Sequence, residues 1–195
     1  MRGLFIVIEG GDRSGKSTLA KSLSASIDGS HLGSFPDRST PIGQLINAHL
    51  KGQHSSPQTI HLLFSANRHE AAPNLLSLLN AGHTVILDRY VPSGIAYSMA
   101  KGLDGEWCQA ADMGLPKPDA VLFVDLPVEV AAARAGYGEE VYEKKEFQQK
   151  VREAFLKLKD NSWRSIDGTK SQEEMLRDAL FVIKSLQPSS SISFY

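Results

Sequence analysis

Three short runs of apolar residues carry no alternation with polar residues: Leu4–Ile8, Val85–Leu87 and Ala120–Val124. Branched side chains dominate these runs. Runs of this length and composition predict strands that are buried on both faces of a parallel sheet. His31–Phe35 and Trp163–Ile166 show the same features more weakly and are further strand candidates.

Segments with helical periodicity lie between the apolar runs. Lys16–Ile27 places its apolar residues on one face, and Phe147–Leu158 is also amphipathic. Ser56-Pro57 has the residue types of an N-cap and a first helical position. The capping box Ser171–Glu174 precedes another helical segment, Met175–Leu186. Because strands alternate with helices, the pattern predicts an α/β fold with a parallel sheet and right-handed crossovers.

The composition is that of an ordinary globular protein. With 195 residues, we expect one domain over residues 1–186, followed by a flexible tail over 187–195 that contains Pro188 and three consecutive serines. The net charge of −1 argues against a nucleic-acid or membrane partner. The single cysteine, Cys108, fits a buried thiol in a reducing compartment. No apolar stretch has the length of a signal or membrane segment, so a cytoplasmic location is expected.

A glycine-rich loop follows the first apolar run and leads into the first helical segment. Its Gly10-x4-Gly15-Lys16-Ser17 spacing is that of a P-loop, in which backbone N–H groups and a helix N-terminus surround phosphate oxygens. Lys16 would reach the β- and γ-phosphates, and the Ser17 hydroxyl would ligate Mg²⁺. The alternative is a glycine turn before an ordinary helix, but the strand–loop–helix context favours phosphate binding. The predicted phosphate-binding residues are Gly10, Gly11, Asp12, Arg13, Ser14, Gly15, Lys16, Ser17 and Thr18.

The P-loop alone does not distinguish a kinase from a GTPase or an ATP-driven machine. The sequence has no base-reading N-K-x-D segment of a GTPase, and a motor would normally be larger. A kinase needs a second anion site, because its acceptor must lie in line with the γ-phosphate.

Two arginines are candidates for this second anion site. Arg38 and Arg89 follow the second and third predicted strands, and ligands of open α/β sheets bind at the carboxyl ends of strands. Two guanidinium groups there could hold a phosphate by bidentate hydrogen bonds. The alternative is a surface arginine or an ion pair with Asp37 or Asp88. Together with a P-loop, the arginines favour the functional interpretation.

Phe64 and Arg68 are four residues apart and therefore share one helical face. A ring that stacks on a base, with a hydrogen-bond donor one turn away, could recognise a planar base. Arginine only donates, so Arg68 favours thymine or uracil over cytosine. The alternative for Phe64 is packing in the core.

Several segments in this order resemble thymidylate kinases. They are IEGGDRSGKST, FPDRSTPIGQL, LLFSANRHE, DRYVPSGIAYSMAKG, GLPKPDAVLFVDL and GYGEEVYEKKEFQ. The resemblance implies Mg-ATP-dependent phosphorylation of dTMP to dTDP, as used in dTTP synthesis. It also implies a nucleoside-monophosphate-kinase fold, with a five-stranded parallel sheet flanked by helices and a short lid over residues 135–146. A homodimer is a further implication.

The resemblance also implies roles for individual residues. Arg38 and Arg89 would bind the dTMP phosphate, Phe64 would stack on thymine, and Arg68 would donate to a thymine carbonyl. Asp12 would contact the sugar 3′-hydroxyl, and Tyr97 would lie against the 2′ position. Asp88 would hold Mg²⁺ with Ser17, while Arg134 and Lys170 would lie near the adenine of ATP. The full set of implied dTMP-binding residues is Asp12, Phe35, Arg38, Phe64, Arg68, Arg89, Ser93, Gly94, Tyr97, Tyr142 and Gln148.

Arg13 is an unusual residue for a P-loop. The resemblance implies two styles of thymidylate kinase, which differ in whether the catalytic arginine lies in the P-loop or in the lid. The predicted lid segment, Gly136–Glu143, contains no arginine, so Arg13 is expected to act with Lys16, Asp88 and Arg89 in catalysis. Val141 stands where members of this style often carry a basic residue. The alternative for the acidic lid is a plain solvated loop.

Two other functions remain open from the sequence. One is a kinase for nucleosides or for other nucleoside monophosphates, against which the two arginines and the base-reading pair argue. The other is a nucleotide-dependent binding module without turnover. The presence of the whole set of charged residues argues against the second.

Overall fold

A computed structural model describes residues 1–134 and 141–195. Its centre is a five-stranded parallel sheet with the strand order β2-β3-β1-β4-β5. The strands are β1 (Phe5–Gly10), β2 (His31–Ser34), β3 (Val85–Asp88), β4 (Ala120–Asp125) and β5 (Trp163–Asp167). The three apolar runs and the two weaker candidates therefore all form strands, and the predicted α/β fold with a parallel sheet is confirmed.

Helices cover both faces of the sheet. They are α1 (Lys16–Ala25), α2 (Pro41–Leu50), α3 (Pro57–Asn80), α4 (Val91–Ala100), α5 (Gly105–Ala110), α6 (Val128–Ala132), α7 (Lys145–Leu158) and α8 (Gln172–Lys184). Among the described residues, no helix is long and apolar enough to cross a membrane. The sequence pattern missed α2, α4, α5 and α6. Of these, α2 has a clear start signal, because Thr40 caps it by accepting from the Gly43 N–H and Pro41 follows the cap.

The strands are buried on both sides because two apolar layers sandwich the sheet. Phe5 and Val7 of β1 face the layer that contains Phe155 of α7, whereas Ile6 and Ile8 face Leu19 of α1 and the α8 helix. This two-sided burial explains the absence of polar alternation in the strand sequences.

The register of the sheet fixes the position of the chemically important loops. Ile8 of β1 pairs with Asp88 of β3, and Gly10 pairs with Val124 of β4. The P-loop and the Asp88-Arg89 turn therefore leave the same edge of the sheet from adjacent strands.

The last residues of the predicted tail make contacts with the rest of the domain. Tyr195 donates its N–H to the Leu115 carbonyl at 2.9 Å, and Lys117 donates its N–H to the Ser193 carbonyl at 2.8 Å. The Tyr195 ring lies 6.4 Å from that of Tyr90 and packs against the core. The polar composition predicts a flexible segment, and in the structure the aromatic residue at its end makes apolar contacts with the core.

We expect Tyr195→Ala to lower the free energy of unfolding by about 2 kcal/mol, because it removes a partly buried ring from the core. Urea denaturation would measure the change. Phe194→Ala is the matched control, since Phe194 is 48% exposed and its replacement should cost less than about 0.5 kcal/mol. Equal losses in the two variants would contradict an ordered Tyr195.

Candidate active site

The P-loop leaves β1 at Gly10, whose backbone conformation and surroundings both require glycine. Gly10 has a φ of +151°, and a Cβ atom there would lie 2.6 Å from the Val124 carbonyl oxygen. Gly15 caps α1 at a φ of +97°. Ser17 and Thr18 are exposed in the first turn of α1, while the Ser14 hydroxyl is buried without a hydrogen-bond partner. The loop thus has the predicted position between a strand end and a helix N-terminus.

Lys16 lies buried beneath this loop, where its ammonium group donates to the Gly11 carbonyl at 3.0 Å. Burial, reinforced by the charge of Arg89, lowers the pKa of Lys16 to about 8. Asp12 and Asp88 act in the opposite direction. The ammonium group therefore lies in a site where an additional anion would stabilise its charged form.

Arg89 brings the turn after β3 onto the P-loop. Its Nη2 forms a close ion pair with Asp12, and its Nη1 donates to the Gly10 carbonyl at 3.2 Å and to the Ser93 hydroxyl at 3.1 Å. Its guanidinium carbon lies 5.2 Å from the centre of the Tyr97 ring. Arg89 and Arg13 both have positive φ values, 68° and 59°, which are unusual for residues other than glycine.

Glu9 supports the Arg89 turn, although the sequence analysis did not single it out. Its fully buried carboxylate accepts the N–H groups of Tyr90 and Ser93 at 2.9 and 3.0 Å, and the Ser93 hydroxyl at 2.5 Å. Burial raises the pKa of Glu9 to about 7, against the effect of these hydrogen bonds. A charged residue within a buried strand, one position before the P-loop, was the available signal.

Gln148 of α7 forms hydrogen bonds with Asp12 of the P-loop, which also pairs with Arg89. Its amide oxygen accepts the Asp12 N–H at 3.0 Å, and its Nε2 donates to Asp12 Oδ2 at 2.7 Å and to the Tyr142 carbonyl at 3.0 Å. Burial opposes ionisation of Asp12, but Arg89 and Lys16 together lower its pKa. Asp12 is therefore held as a carboxylate between a helix and the Arg89 turn.

A cavity opens beside the P-loop. It contains nine of the predicted dTMP-binding residues: Asp12, Phe35, Arg38, Phe64, Arg68, Arg89, Ser93, Gly94 and Tyr97. Tyr142 also lines it, while Gln148 contacts it through Asp12. Asp12 and Arg89 join this cavity to the P-loop.

Arg68 enters the cavity wall in a more constrained state than the sequence suggests. Its Nε and Nη2 donate to the two carboxylate oxygens of Asp112 at 3.0 and 2.8 Å, and both side chains are almost fully buried. Its guanidinium also lies against Gly94, where a Cβ atom would be 2.8 Å from Nη1. Asp112 therefore fixes the direction of Arg68 and leaves Nη1 outside the bidentate pair.

Arg38 lies at the outer part of the cavity, where its Nη1 donates to Asn47 of α2 at 3.0 Å. Asp37, which the sequence offered as an alternative partner, accepts hydrogen bonds from the N–H and hydroxyl of Ser39. Asn67 of α3 holds the same loop by accepting the Asp37 N–H at 2.8 Å.

Arg13 extends from the P-loop towards the segment that precedes α7. Its Nε pairs with Glu143 Oε1 at 3.0 Å, and its side chain is 33% exposed. Arg134 donates to the Arg13 carbonyl at 2.6 Å and to the Gly168 carbonyl at 3.2 Å, so it lies beside the P-loop. Lys170, which precedes α8, pairs with Asp178 of that helix at 2.7 Å.

The part of the predicted lid that the structure describes is anchored over the cavity. The Tyr142 hydroxyl lies 2.7 Å from His49 Nε2 and accepts from Lys101 Nζ at 3.1 Å. The Tyr142 ring stacks on Phe147, with 5.2 Å between centroids. Residues 135–140 of the predicted lid lie outside the described residues. His49 and Lys101 were not found from the sequence, because their relation to Tyr142 is visible only in the fold.

A P-loop at the carboxyl edge of a parallel sheet, joined through an ion pair to an arginine-bearing cavity, defines a P-loop kinase of the nucleoside-monophosphate class. A family model described as thymidylate kinase matches residues 8–179. The chain belongs to the thymidylate kinase family, and it is an enzyme that phosphorylates dTMP.

Individual relatives agree with this assignment. The chain is 48% identical to a thymidylate kinase of Arabidopsis thaliana over 89% of this chain and 68% of the relative. It is 42% identical to the human thymidylate kinase over 91% of this chain and 88% of the relative. A solved thymidylate kinase from Candida albicans, described as having broad substrate specificity, superimposes with a TM-score of 0.92 at 42% identity. That comparison covers 99% of this chain and 98% of the other.

Proposed function

We propose that this chain transfers the γ-phosphoryl group of Mg-ATP to dTMP at the junction between its P-loop and the arginine-lined cavity. The observation that carries this proposal is the contact of Arg89 with both Asp12 and Gly10 of the P-loop. This contact favours an arrangement in which a donor phosphate at the P-loop lies beside an acceptor phosphate at Arg89. An acceptor phosphate oxygen attacks the γ-phosphorus, and the bond from that phosphorus to the β–γ bridging oxygen breaks to release ADP. The attacking oxygen is already charged and needs no general base.

On the donor side, the P-loop N–H groups surround the β- and γ-phosphates. Lys16 supplies a positive charge beneath them, and Arg134 lies beside the loop near the position proposed for adenine. Lys170 is the more remote member of the donor set, because it is paired with Asp178 at the surface.

Ser17 and Asp88 are the proposed residues for Mg²⁺. Asp88 Oδ1 is buried without a hydrogen-bond partner, and Ser17 presents an exposed hydroxyl at the start of α1. A hydroxyl, a carboxylate and substrate phosphates are ligands that Mg²⁺ prefers, so these residues fit the ion. No cluster of three or more His, Cys, Asp or Glu ligands occurs within residues 1–134 and 141–195. When bound, Mg²⁺ neutralises phosphate charge.

On the acceptor side, Arg38 and Arg89 bind the dTMP phosphate and Phe64 stacks on the base. Arg68 directs Nη1 to a base carbonyl, since Asp112 occupies Nε and Nη2. Asp12 and Tyr97 contact the sugar, with Gln148 as a positioning residue for Asp12. Phe35, Ser93, Gly94 and Tyr142 complete the walls of the cavity.

Arg13 is proposed as the catalytic arginine that neutralises the transferring group. The side chain reaches out of the P-loop, and its Glu143 partner belongs to the segment that closes the cavity. A lid over residues 135–146 would therefore move together with the partner of Arg13. The proposal also includes a single domain over residues 1–186 and assembly as a homodimer. It further includes a cytoplasmic location and no nucleic-acid partner.

We expect Arg13→Ala to lower kcat by about 10³-fold with a much smaller change in KM, because its charge is needed mainly in the transition state. Arg152→Ala is the matched control, since Arg152 is equally exposed and also paired with a carboxylate, Asp125. A steady-state ADP-release assay would measure both variants. A loss confined to the KM for dTMP would instead assign Arg13 to binding.

The lowered pKa of Lys16 predicts a pH dependence of ATP binding. With a pKa of about 8, most Lys16 side chains are charged at pH 7 and about nine in ten are neutral at pH 9. ATP binds the charged form, so the Kd for ATP should rise about tenfold between these pH values. Titration calorimetry would measure the change. Lys16→Arg retains its charge and should show little pH dependence; an unchanged wild-type Kd would rule out this role.

A further inference from the structure

Tyr90 follows Arg89 directly and lines the acceptor cavity, but nothing described so far gives its side chain a role. The residue is 1% exposed, and its N–H donates to Glu9 at 2.9 Å. Among the described residues, its buried hydroxyl has no hydrogen-bond partner. Because no hydrogen bond of the side chain holds the ring there, the position of the ring depends on packing against its neighbours.

Three aromatic rings surround the ring of Tyr90. The centroid of Phe5 of β1 lies 5.4 Å away, that of Phe35 lies 5.7 Å away and that of Tyr195 lies 6.4 Å away. These separations are in the range at which aromatic pairs attract each other. Phe35 is itself a wall of the acceptor cavity, whereas Tyr195 belongs to the tail. Tyr90 therefore connects the tail with the cavity.

The tail brings Tyr195 to this position through backbone hydrogen bonds with a single short segment, residues 115–117. Tyr195 donates its N–H to the Leu115 carbonyl at 2.9 Å, and Lys117 donates its N–H to the Ser193 carbonyl at 2.8 Å. The Lys117 ammonium group also lies 5.3 Å from the centre of the Tyr195 ring. A short segment that is held in this way can open locally while the rest of the domain stays folded.

The ring of Tyr195 also lies close to the turn that carries Arg89. Burial raises the pKa of Tyr195, and the nearby groups of Tyr90 and Glu9 act in the same direction. Arg89 has a φ of 68°, a conformation that is costly for residues other than glycine and persists only where surrounding groups fix it. Glu9 and Tyr90 are two of these groups, and Tyr195 fixes the second of them by packing.

We propose that Tyr195 is a positioning residue for the acceptor site, because by packing on Tyr90 it holds Arg89 in the conformation that binds the acceptor phosphate. Docking of the tail and binding of dTMP are therefore coupled, since each stabilises the same arrangement of the Arg89 turn. The P-loop follows β1 rather than this turn, so ATP binding depends much less on the tail. The inference rests on the proposed use of the cavity for dTMP.

The first test measures ligand binding to Tyr195→Ala by titration calorimetry, at a temperature where the variant is folded. Loosening the Arg89 turn should raise the Kd for dTMP about fivefold, at the lower end of typical couplings between sites, while the Kd for ATP stays within about twofold of the wild-type value. Tyr195→Phe retains the packing ring, so its Kd for dTMP should also stay within about twofold.

Two control variants separate positioning from general stability. Phe194→Ala changes the neighbouring tail residue, which is 48% exposed, and should leave both Kd values unchanged. Ile183→Ala removes a buried side chain of α8 from the apolar layer on the opposite face of the sheet. It should lower the free energy of unfolding at least as much as Tyr195→Ala, but leave the Kd for dTMP unchanged.

Amide hydrogen exchange of the wild-type protein provides a measurement that needs no variant. The Tyr195 N–H is bonded to Leu115 only while the tail is docked, so its exchange reports the opening of the tail. Because coupling is reciprocal, saturating dTMP should slow this exchange about fivefold, whereas saturating ATP should change it by less than about twofold. The Ser185 N–H, which is bonded to the Val182 carbonyl at the end of α8, should not respond to dTMP.

The outcomes separate the inference from the function on which it rests. An unchanged Kd for dTMP in Tyr195→Ala, an equal rise for dTMP and ATP, or a similar rise in Ile183→Ala would overturn the positioning role while leaving the kinase intact. Exchange at Tyr195 that does not respond to dTMP would do the same, and a Tyr195→Phe variant as weak as Tyr195→Ala would overturn the packing mechanism. Absence of dTMP phosphorylation by the wild-type protein would instead overturn the proposed function.

Discussion

The ion pair between Arg89 and Asp12 is the contact through which the two halves of the site are joined. Asp12 belongs to the P-loop and Arg89 to the turn after β3, and parallel pairing of β1 with β3 brings them to one edge of the sheet. Glu9 accepts a hydrogen bond from the backbone of the turn that contains Arg89, and Gln148 of α7 donates one to Asp12. The relative position of the two proposed phosphate sites therefore depends on side chains from three elements.

The same contacts balance the charges buried at this point. Removing carboxylates and cations from water is costly unless they are paired and hydrogen-bonded. Lys16 and Arg89 lie among Glu9, Asp12 and Asp88, and the shifted pKa values of Lys16 and Glu9 reflect incomplete compensation. A further anion near Lys16 would improve the balance. Substrate phosphates bound at the proposed sites would therefore relieve an electrostatic cost already present in the protein.

The sequence predicted the features that are encoded locally. Buried parallel strands leave continuous apolar runs, and a P-loop concentrates its glycines and lysine within eight residues, so both were identified before the structure. Asp112 and Glu9 could not be assigned in this way, because their partners Arg68 and Ser93 are distant in sequence. The same holds for His49 and Lys101 at Tyr142. The contact of Tyr195 with Tyr90 was likewise not predicted, because the polar, serine-rich composition around it gave no signal of packing.

The most direct test of the account is an ADP-release assay with Mg-ATP and a panel of acceptors: dTMP, dUMP, UMP, dCMP, dGMP, AMP and thymidine. The joined phosphate sites and the base-reading residues predict strong preference for dTMP and little turnover of thymidine, which lacks the phosphate that Arg38 and Arg89 would bind. Binding of ATP without turnover on any acceptor would contradict the account.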